Sequence, residues 1–589
     1  MPSAWWSRTG TSRPPVASLL ALQPETERER SHFEVLVWHL YDRLLNNEVF
    51  GEDAAARVTE LAYAIALPGV LVALFLFPAY HGLPPHPQER SFTSQACDHL
   101  FFVTYAFVVM GCAVIFQWEM LFPDALDASV LTTLPISLRR LLTARIAAVA
   151  LFLMLVHAGT SGLGCLFLPA VADQRCGYFR QLLAQVTAVS MSGVCIVAAL
   201  IALQAVLLWL PQGRWAEVTR GVVRICLLTG LMTTLFLFPL TAHYLGQLVG
   251  GGDGTATVRW LPTFWFLGVY DTIMWGDLAP SVFHKLARTG VLSTVAGLLI
   301  AAVTYPIGYQ RRVQQLVEGS PLTMHGAGSG WLKSILNGVV LPRPRMRATG
   351  HLAAQTLLRT ERLHLYLAMY IGLGTALVLS SVLGLRITGT HVAVVIQANG
   401  LRMAVPLVAF WAVAGLHTAM RSPVAKRGSW IFRAISGTPG QDELSGGRRL
   451  TVCVAWTAVV CMMVLLNACA PRGVPSVAEA GTQLLFGCGL PLLLAELLFA
   501  HTRTAPFTGA ARRSVHALPL AFVRYFVLMP AFVFTIVAGE SWATSSRSKA
   551  ACAALLLGGA YVCARTFRVW LSSRPAPADE LTLVTLHDD

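Results

Sequence analysis

CDHLFFVTYAFVVMGCAVIFQWEMLFPDALDASVLTTLPISLRR, residues 97–140, is the stretch on which the fold turns. From Leu100 to Phe116 it carries no charge; it then breaks into a segment punctuated by Asp and Pro that ends on Arg139 and Arg140. A helix rises about 1.5 Å per residue, so a hydrocarbon core of about 30 Å needs roughly 20 apolar residues. The run predicts a membrane span over 98–117, and the basic end of the following loop marks an aqueous boundary.

The rest of the chain repeats this pattern. Of 589 residues, 55% are hydrophobic and 13% charged, and the mean hydropathy of +0.60 exceeds what a water-soluble chain sustains. The predicted class is all-α: a polytopic membrane protein of about twelve spans at 60–79, 98–117, 146–169, 182–210, 225–248, 290–309, 364–386, 403–420, 451–470, 478–500, 517–538 and 549–569. The net charge of +14 would point to nucleic acid in a soluble domain, but its Arg residues sit between apolar runs, with no basic patch interleaved with stacking aromatics. With both termini cytoplasmic, internal segments hold 32 Lys and Arg and external ones 11, with Arg524 inside a span.

The predicted organisation is a disordered cytoplasmic lead (1–30), an interfacial amphipathic helix (31–58), a first six-span half (59–310), a cytoplasmic linker (311–362), a second half (363–570) and a cytoplasmic tail (571–589). In the amphipathic segment Phe33, Leu36, Val37, Leu40 and Leu44 share one face. That face suits either the membrane interface or the protein's own cytoplasmic loops.

Chemistry-bearing motifs are scarce. There is no Walker A loop, no HExxH, no nucleophile elbow and no CxxC pair, so no catalytic centre, metal site or cofactor is expected. Leu444–Arg448 spell LSGGR, close to an ATPase signature, but thirty residues cannot form such a domain. The loop after the second span begins with acidic Asp124 and Asp127 and ends with Arg139, Arg140 and Arg145, which suits a short helix at the cytoplasmic surface and docking of a partner; order imposed only by membrane contacts is the alternative. Its counterpart in the second half carries Pro423, Trp430, Phe432 and Arg433, aromatics at headgroup level with cations toward water. The external connection 249–289 is rich in Trp and Phe yet too interrupted to span, which suits a re-entrant or interfacial helix. Glu496 and Arg524 are the ionisable pair expected within the membrane, on adjacent spans that can bring them together.

LYDRLLNNEVFGED before the first span, FPDALDASVLTTLPIS after the second, LPTFWFLGVYD in the external connection and PVAKRGSWIFR in the second half resemble large bacterial permeases related to ABC-type exporters of the second type, over residues 31–570. The resemblance implies a bacterial inner-membrane permease subunit with a separate cytoplasmic ATPase as partner. It assigns coupling to the loop carrying Phe122, Pro123, Asp124, Asp127, Leu131, Leu134, Pro135, Arg139 and Arg140, with the loop of Pro423 to Arg433 as second contact. It assigns an outer gate to Trp260, Pro262, Trp265 and Asp271. The second half offers only the short connection Glu540–Arg547 where the first has its aromatic stretch. An ion-gradient-driven secondary transporter is the competing expectation and a non-transporting scaffold a third; partners are lipid, the ATPase and, with room left for it, a second copy of the chain.

Overall fold

The computed structural model describes residues 32–45, 54–81, 91–123, 135–172, 177–210, 214–239, 245, 260–317, 336–388, 391–421, 441–469, 477–502, 506–507 and 517–573. The lead 1–30, the tail beyond Ser573, Asp124, Asp127, Leu131 and Leu134, and the stretch holding Pro423, Trp430, Phe432 and Arg433 lie outside the described residues.

The first part of the chain forms α1 (His32–Leu45), α2 (Ala54–Tyr80), α3 (Phe92–Phe116), α4 (Leu138–Val171), α5 (Tyr178–Leu207), α6 (Arg214–Phe236), α7 (Pro262–Trp275) and α8 (Ser281–Val317). The second part forms α9 (Pro344–Arg359), α10 (Glu361–Val382), β1 (Leu383–Thr388), β2 (His391–Ile396), α11 (Ala398–Arg421), α12 (Gln441–Cys469), α13 (Val477–Leu498), α14 (Ala517–Thr544) and α15 (Arg547–Ser573). Ten of these helices are long and apolar enough to cross a bilayer, and α2 and α10 carry the shorter apolar stretches Gly69–Tyr80 and Tyr366–Val382.

The outward faces of these helices identify their solvent. Phe75 is 83% exposed on α2, Phe534 77% on α14 and Leu555 77% on α15, and α8 presents Leu292, Val295, Leu298, Leu299, Ile300 and Val303 together. A face this apolar is unsustainable in water and is what lipid requires. The architecture is that of a polytopic helical membrane protein. With 34 and 37 residues, α4 and α8 exceed the bilayer core, and α8 carries Arg311 and Arg312 on its overhang.

Packing partners recur along the chain. In the first part α1 lies on α4, α3 on α4, α5 and α6, α4 on α5, and α5 on α8; in the second α9 lies on α12, α11 on α12, α13 and α14, α12 on α13, and α13 on α15. The two parts differ where α2 packs on α4 while α10 packs on α11 and on α6. That contact between α6 and α10 joins the two parts through small residues: a Cβ on Gly372 would stand 3.3 Å from the Thr229 nitrogen, and Thr375 Oγ1 donates to Thr229 Oγ1 at 3.3 Å.

Several expectations are corrected. Within residues 31–58 the described helical parts are α1, to Leu45, and the start of α2, from Ala54. Val37, Leu40 and Leu44 of α1 are buried in the protein's own core against α4, whereas Phe33, Val35 and Trp38 face outward. The linker 311–362 is helical in much of its described part: α8 runs on to Val317, and α9 places Met346, Gly350, Ala353 and Leu357 on one face at i, i+4, i+7 and i+11, packed on α12. The span expected over 364–386 stops at Val382 and turns into an antiparallel hairpin pairing Leu383 with Ile396 through Thr388 with His391. LGLRIT and HVAVVI are rich in β-branched residues, which favour strand over helix.

The α6–α10 contact yields a prediction. Gly372→Leu should destabilise the protein by about 1–3 kcal/mol through overpacking, read as a lower thermal midpoint in detergent. Gly230→Leu, on the same interface helix but where a Cβ meets nothing within 4 Å, should leave it unchanged.

Candidate functional site

The helix ends divide into two sets. One gathers α1, the ends of α3 and α5 and the start of α4; the opposite one gathers the end of α2, the start of α3, the end of α4, the start of α5 and the whole of α7.

At the opposite end, α7 starts with Pro262, whose fixed φ suits a first helical turn. It closes at Gly276, where φ of 57° permits the reversal into α8. The two helices lie antiparallel and very close: a Cβ on Gly268 would stand 2.7 Å from the Phe283 oxygen, and one on Gly290 3.1 Å from the Trp265 oxygen. This hairpin buries Phe264, Phe266, Leu267 and Tyr270, so α7 is packed into the bundle against α3, α5 and α8 rather than laid over it. Trp260, 84% exposed, stays outside this packing.

Between α3, α5 and α7 the hairpin leaves a cavity of about 160 Å³. Its partly buried lining residues are Phe92, Gln95 and Trp275; its buried ones include His99, Gln181, Tyr270, Asp271 and Met274. His99 Nδ1 is 2.8 Å from Gln185 Oε1, and the imidazole stacks on Tyr270 with ring centroids 3.8 Å apart. Asp98, one residue earlier, accepts from the Tyr80 hydroxyl at 2.9 Å, and Arg180 Nε donates to the Ile273 oxygen at 3.1 Å, which pins α5 to α7. Asp271 is 1% exposed, and its Oδ2 accepts no hydrogen bond from any described residue. α7 lies outside the ten spanning helices, and burial alone pushes the Asp271 carboxyl up to about 8. Of this site the sequence reading held Asp271 and missed His99, Gln181 and Gln185. The available signal was the stripe of Gln181, Ala184, Gln185, Ala188 and Ser192 along one face of an otherwise apolar helix.

At the α1 end, the segment Gln117–Pro123 that roots the coupling loop is gripped from several sides. Gln117 Nε2 donates to the Leu44 oxygen of α1 at 3.3 Å, Arg145 of α4 to the Met120 oxygen and, at 3.0 Å, to the Phe122 oxygen, Gln204 of α5 to the Trp118 oxygen, and Tyr305 of α8 to the Leu121 oxygen at 2.6 Å. Arg224 of α6 pairs with Glu119 at 3.1 Å. Phe122 and Pro123 are buried, with the Phe122 ring 5.0 Å from Tyr305, so they belong to the root and not to an exposed contact surface. Pro135, Arg139 and Arg140, at the far side of the loop, are exposed.

The second part ties the corresponding helices by charge. Glu496 near the end of α13 lies 2.5 Å from Arg568 Nε on α15 and 3.5 Å from Arg448 Nη1 on α12. The pairing expected with Arg524 is corrected: Arg524 on α14 is exposed and sits 5.4 Å from the ring of Tyr525, while the cations that reach Glu496 come from α12 and α15. The correspondence reaches single positions, since Arg145 and Arg448 are each the eighth residue of their helix. The LSGGR stretch falls inside α12, where Gly446 and Gly447 allow close approach of α9 and of Pro506 with Met420, and Arg448 reaches Glu496.

Among the described residues no group of three or more His, Cys, Asp or Glu is arranged to hold a metal ion. No family model matches the chain, and searches of curated proteins and of solved structures find no match to it.

Two outcomes are expected. Glu496→Gln removes the carboxylate charge shared by Arg448 and Arg568 at a buried site and should destabilise the protein by about 3–5 kcal/mol, whereas Arg524→Gln should have no measurable effect; denaturant unfolding in detergent separates them. Folded, the Asp271 carboxyl keeps its proton up to about pH 8, while unfolded it loses it near the ordinary 3.8. The folded state therefore binds more protons across that window, and stability falls as pH rises through it. Asp271→Asn should flatten the fall of the thermal midpoint over this window, and equal slopes in the two proteins would contradict it.

Proposed function

We propose that the chain is the transmembrane permease subunit of an ATP-driven exporter, built from two six-helix halves in the bacterial inner membrane and energised by a separate cytoplasmic ATPase. The observation that carries this reading is the root of the loop between α3 and α4. A force applied to the loop passes through Gln117–Pro123 to α1, α4, α5, α6 and α8 at once, because α1 accepts from it, α4, α5 and α8 donate to it and α6 pairs with it. A loop that merely connects two spans needs none of these bonds. The recurrence of the packing scheme in α9–α15, with Arg448 at the position of Arg145, supports the division into two halves. Arg139, Arg140, Arg311, Arg312, Arg345 and Arg347 fall at the α1 end, and this positive charge supports the reading in which that end faces the cytoplasm.

A second reading, a carrier driven by an ion gradient, draws support from Asp271, a buried carboxyl at the opposite end that is able to exchange a proton. The exporter reading is preferred because Asp271 has no chain of titratable groups across the bundle toward the α1 end among the described residues, and the loop root gives a partner mechanical purchase.

Charge reversal at exposed Arg139 and Arg140 should lower copurification of the partner ATPase at least tenfold without changing the thermal midpoint. Tyr305→Phe, which removes one bond to the root, should keep the partner bound but lower its coupled ATP turnover. Unchanged copurification in the charge-reversed protein would remove the coupling role from this loop.

A further inference from the structure

The cavity between α3, α5 and α7 has the chemistry of a binding site, independent of how the chain is energised. Its one acidic group among the described residues is Asp271, buried, lining the space and with Oδ2 accepting no hydrogen bond from any described residue. A carboxyl held this way without a partner carries a cost that a fold normally avoids by pairing it. The cavity is far larger than the roughly 10–15 Å³ a single water requires. The other polar groups on its walls are His99, Gln95 and Gln181. With His99 Nδ1 donating to Gln185 Oε1, the ring's Nε2 carries a lone pair, and the buried Gln181 Oε1 accepts no hydrogen bond from any described residue. Phe92, Tyr270 and Trp275 supply π faces, with Phe92 and Trp275 in edge contact at 6.1 Å. One buried carboxyl, nitrogen and oxygen acceptors and aromatic walls are the complement of a small cation that donates hydrogen bonds and has an apolar body. A bare metal ion would want several charged or oxygen ligands, and among the described residues His99 and Asp271 are the His, Cys, Asp or Glu on this wall.

We propose that this cavity binds a small primary ammonium compound, with Asp271 as its counter-ion, His99 and Gln181 accepting from its N–H groups, and Phe92 and Trp275 flanking its apolar part. The empty carboxyl is raised by burial to about 8, so a bound cation displaces its proton near neutrality. The other titratable groups near it are His99 and Tyr270; Asp98 is engaged by Tyr80, and Arg180 is directed at the Ile273 oxygen.

The test uses the full chain, purified alone in lipid nanodiscs, with n-butylammonium as probe and titration calorimetry as readout. Saturable binding is expected, weakened at least tenfold by Asp271→Asn and by Ala172→Leu, which fills the cavity wall without touching charge, and unaffected by Glu540→Gln, a buried carboxylate change outside this cavity. Sodium at equal concentration should not compete. The wild-type chain gives a further readout that needs no variant: calorimetry at neutral pH in two buffers of different ionisation heat should show protons released on binding. Absence of binding, binding indifferent to Asp271→Asn, competition by sodium, or binding without proton release would each overturn the assignment. None of these results bears on the ATPase, which is absent from the experiment.

Discussion

Hydrocarbon offers no hydrogen bond, and the organisation of this molecule follows from that fact. Backbone groups are satisfied by closing into helices, and side chains that need partners must find them inside the bundle or at its ends. The long helices accordingly show lipid an almost unbroken apolar surface, Leu292 to Val303 on α8 being the clearest instance, and the strong polar contacts collect at the two ends. His99 with Gln185, Asp98 with Tyr80 and Arg180 with Ile273 lie at one; Arg145 and Tyr305 with the loop root, and Glu496 with Arg568 and Arg448, lie at the other.

The α1 end solves one mechanical problem twice with different chemistry. In the first part α4, α5 and α8 are tied by a stretch of backbone inserted among them, whose carbonyls accept from Arg145, Gln204 and Tyr305. In the second part the equivalent helices α12, α13 and α15 are tied directly by Arg448, Glu496 and Arg568. In the first arrangement the bonds fall on backbone carbonyls of the loop root; in the second they join three helices side chain to side chain.

Much of this was legible in sequence because span length and apolar content are local properties. Eleven of the twelve expected stretches coincide with a helix over most of their length, whereas the one at 225–248 follows α6 only to Phe236; the apolar face of α1 was visible as Phe33, Leu36, Val37, Leu40 and Leu44, of which Phe33 faces outward. The hairpin after α10 was absorbed into a span because counting apolar residues ignores whether they repeat every two or every 3.6 positions. Helix α9 carried a readable face at Met346, Gly350, Ala353 and Leu357 but sat beside a Gly-rich stretch that reads as linker. The site itself was least legible. His99 meets Gln185 across 86 residues and Glu496 meets Arg568 across 72, and no local pattern selects Arg568 over the nearer Arg524. Asp271 stood out only as an acid in an aromatic run; its burial depends on Gly268 and Gly290 letting two helices nearly touch.

The central claim is that work reaches this chain through the α1 end from another polypeptide. The direct measurement is proton leakage in liposomes that hold the chain alone with an entrapped pH dye, followed by ATP turnover after the partner is added. The account predicts that an imposed proton gradient decays no faster than in protein-free vesicles, and that the partner hydrolyses ATP faster in vesicles holding the chain than in empty ones. A gradient that collapses through the lone chain, and is preserved by Asp271→Asn, would contradict it and establish a gradient-driven carrier.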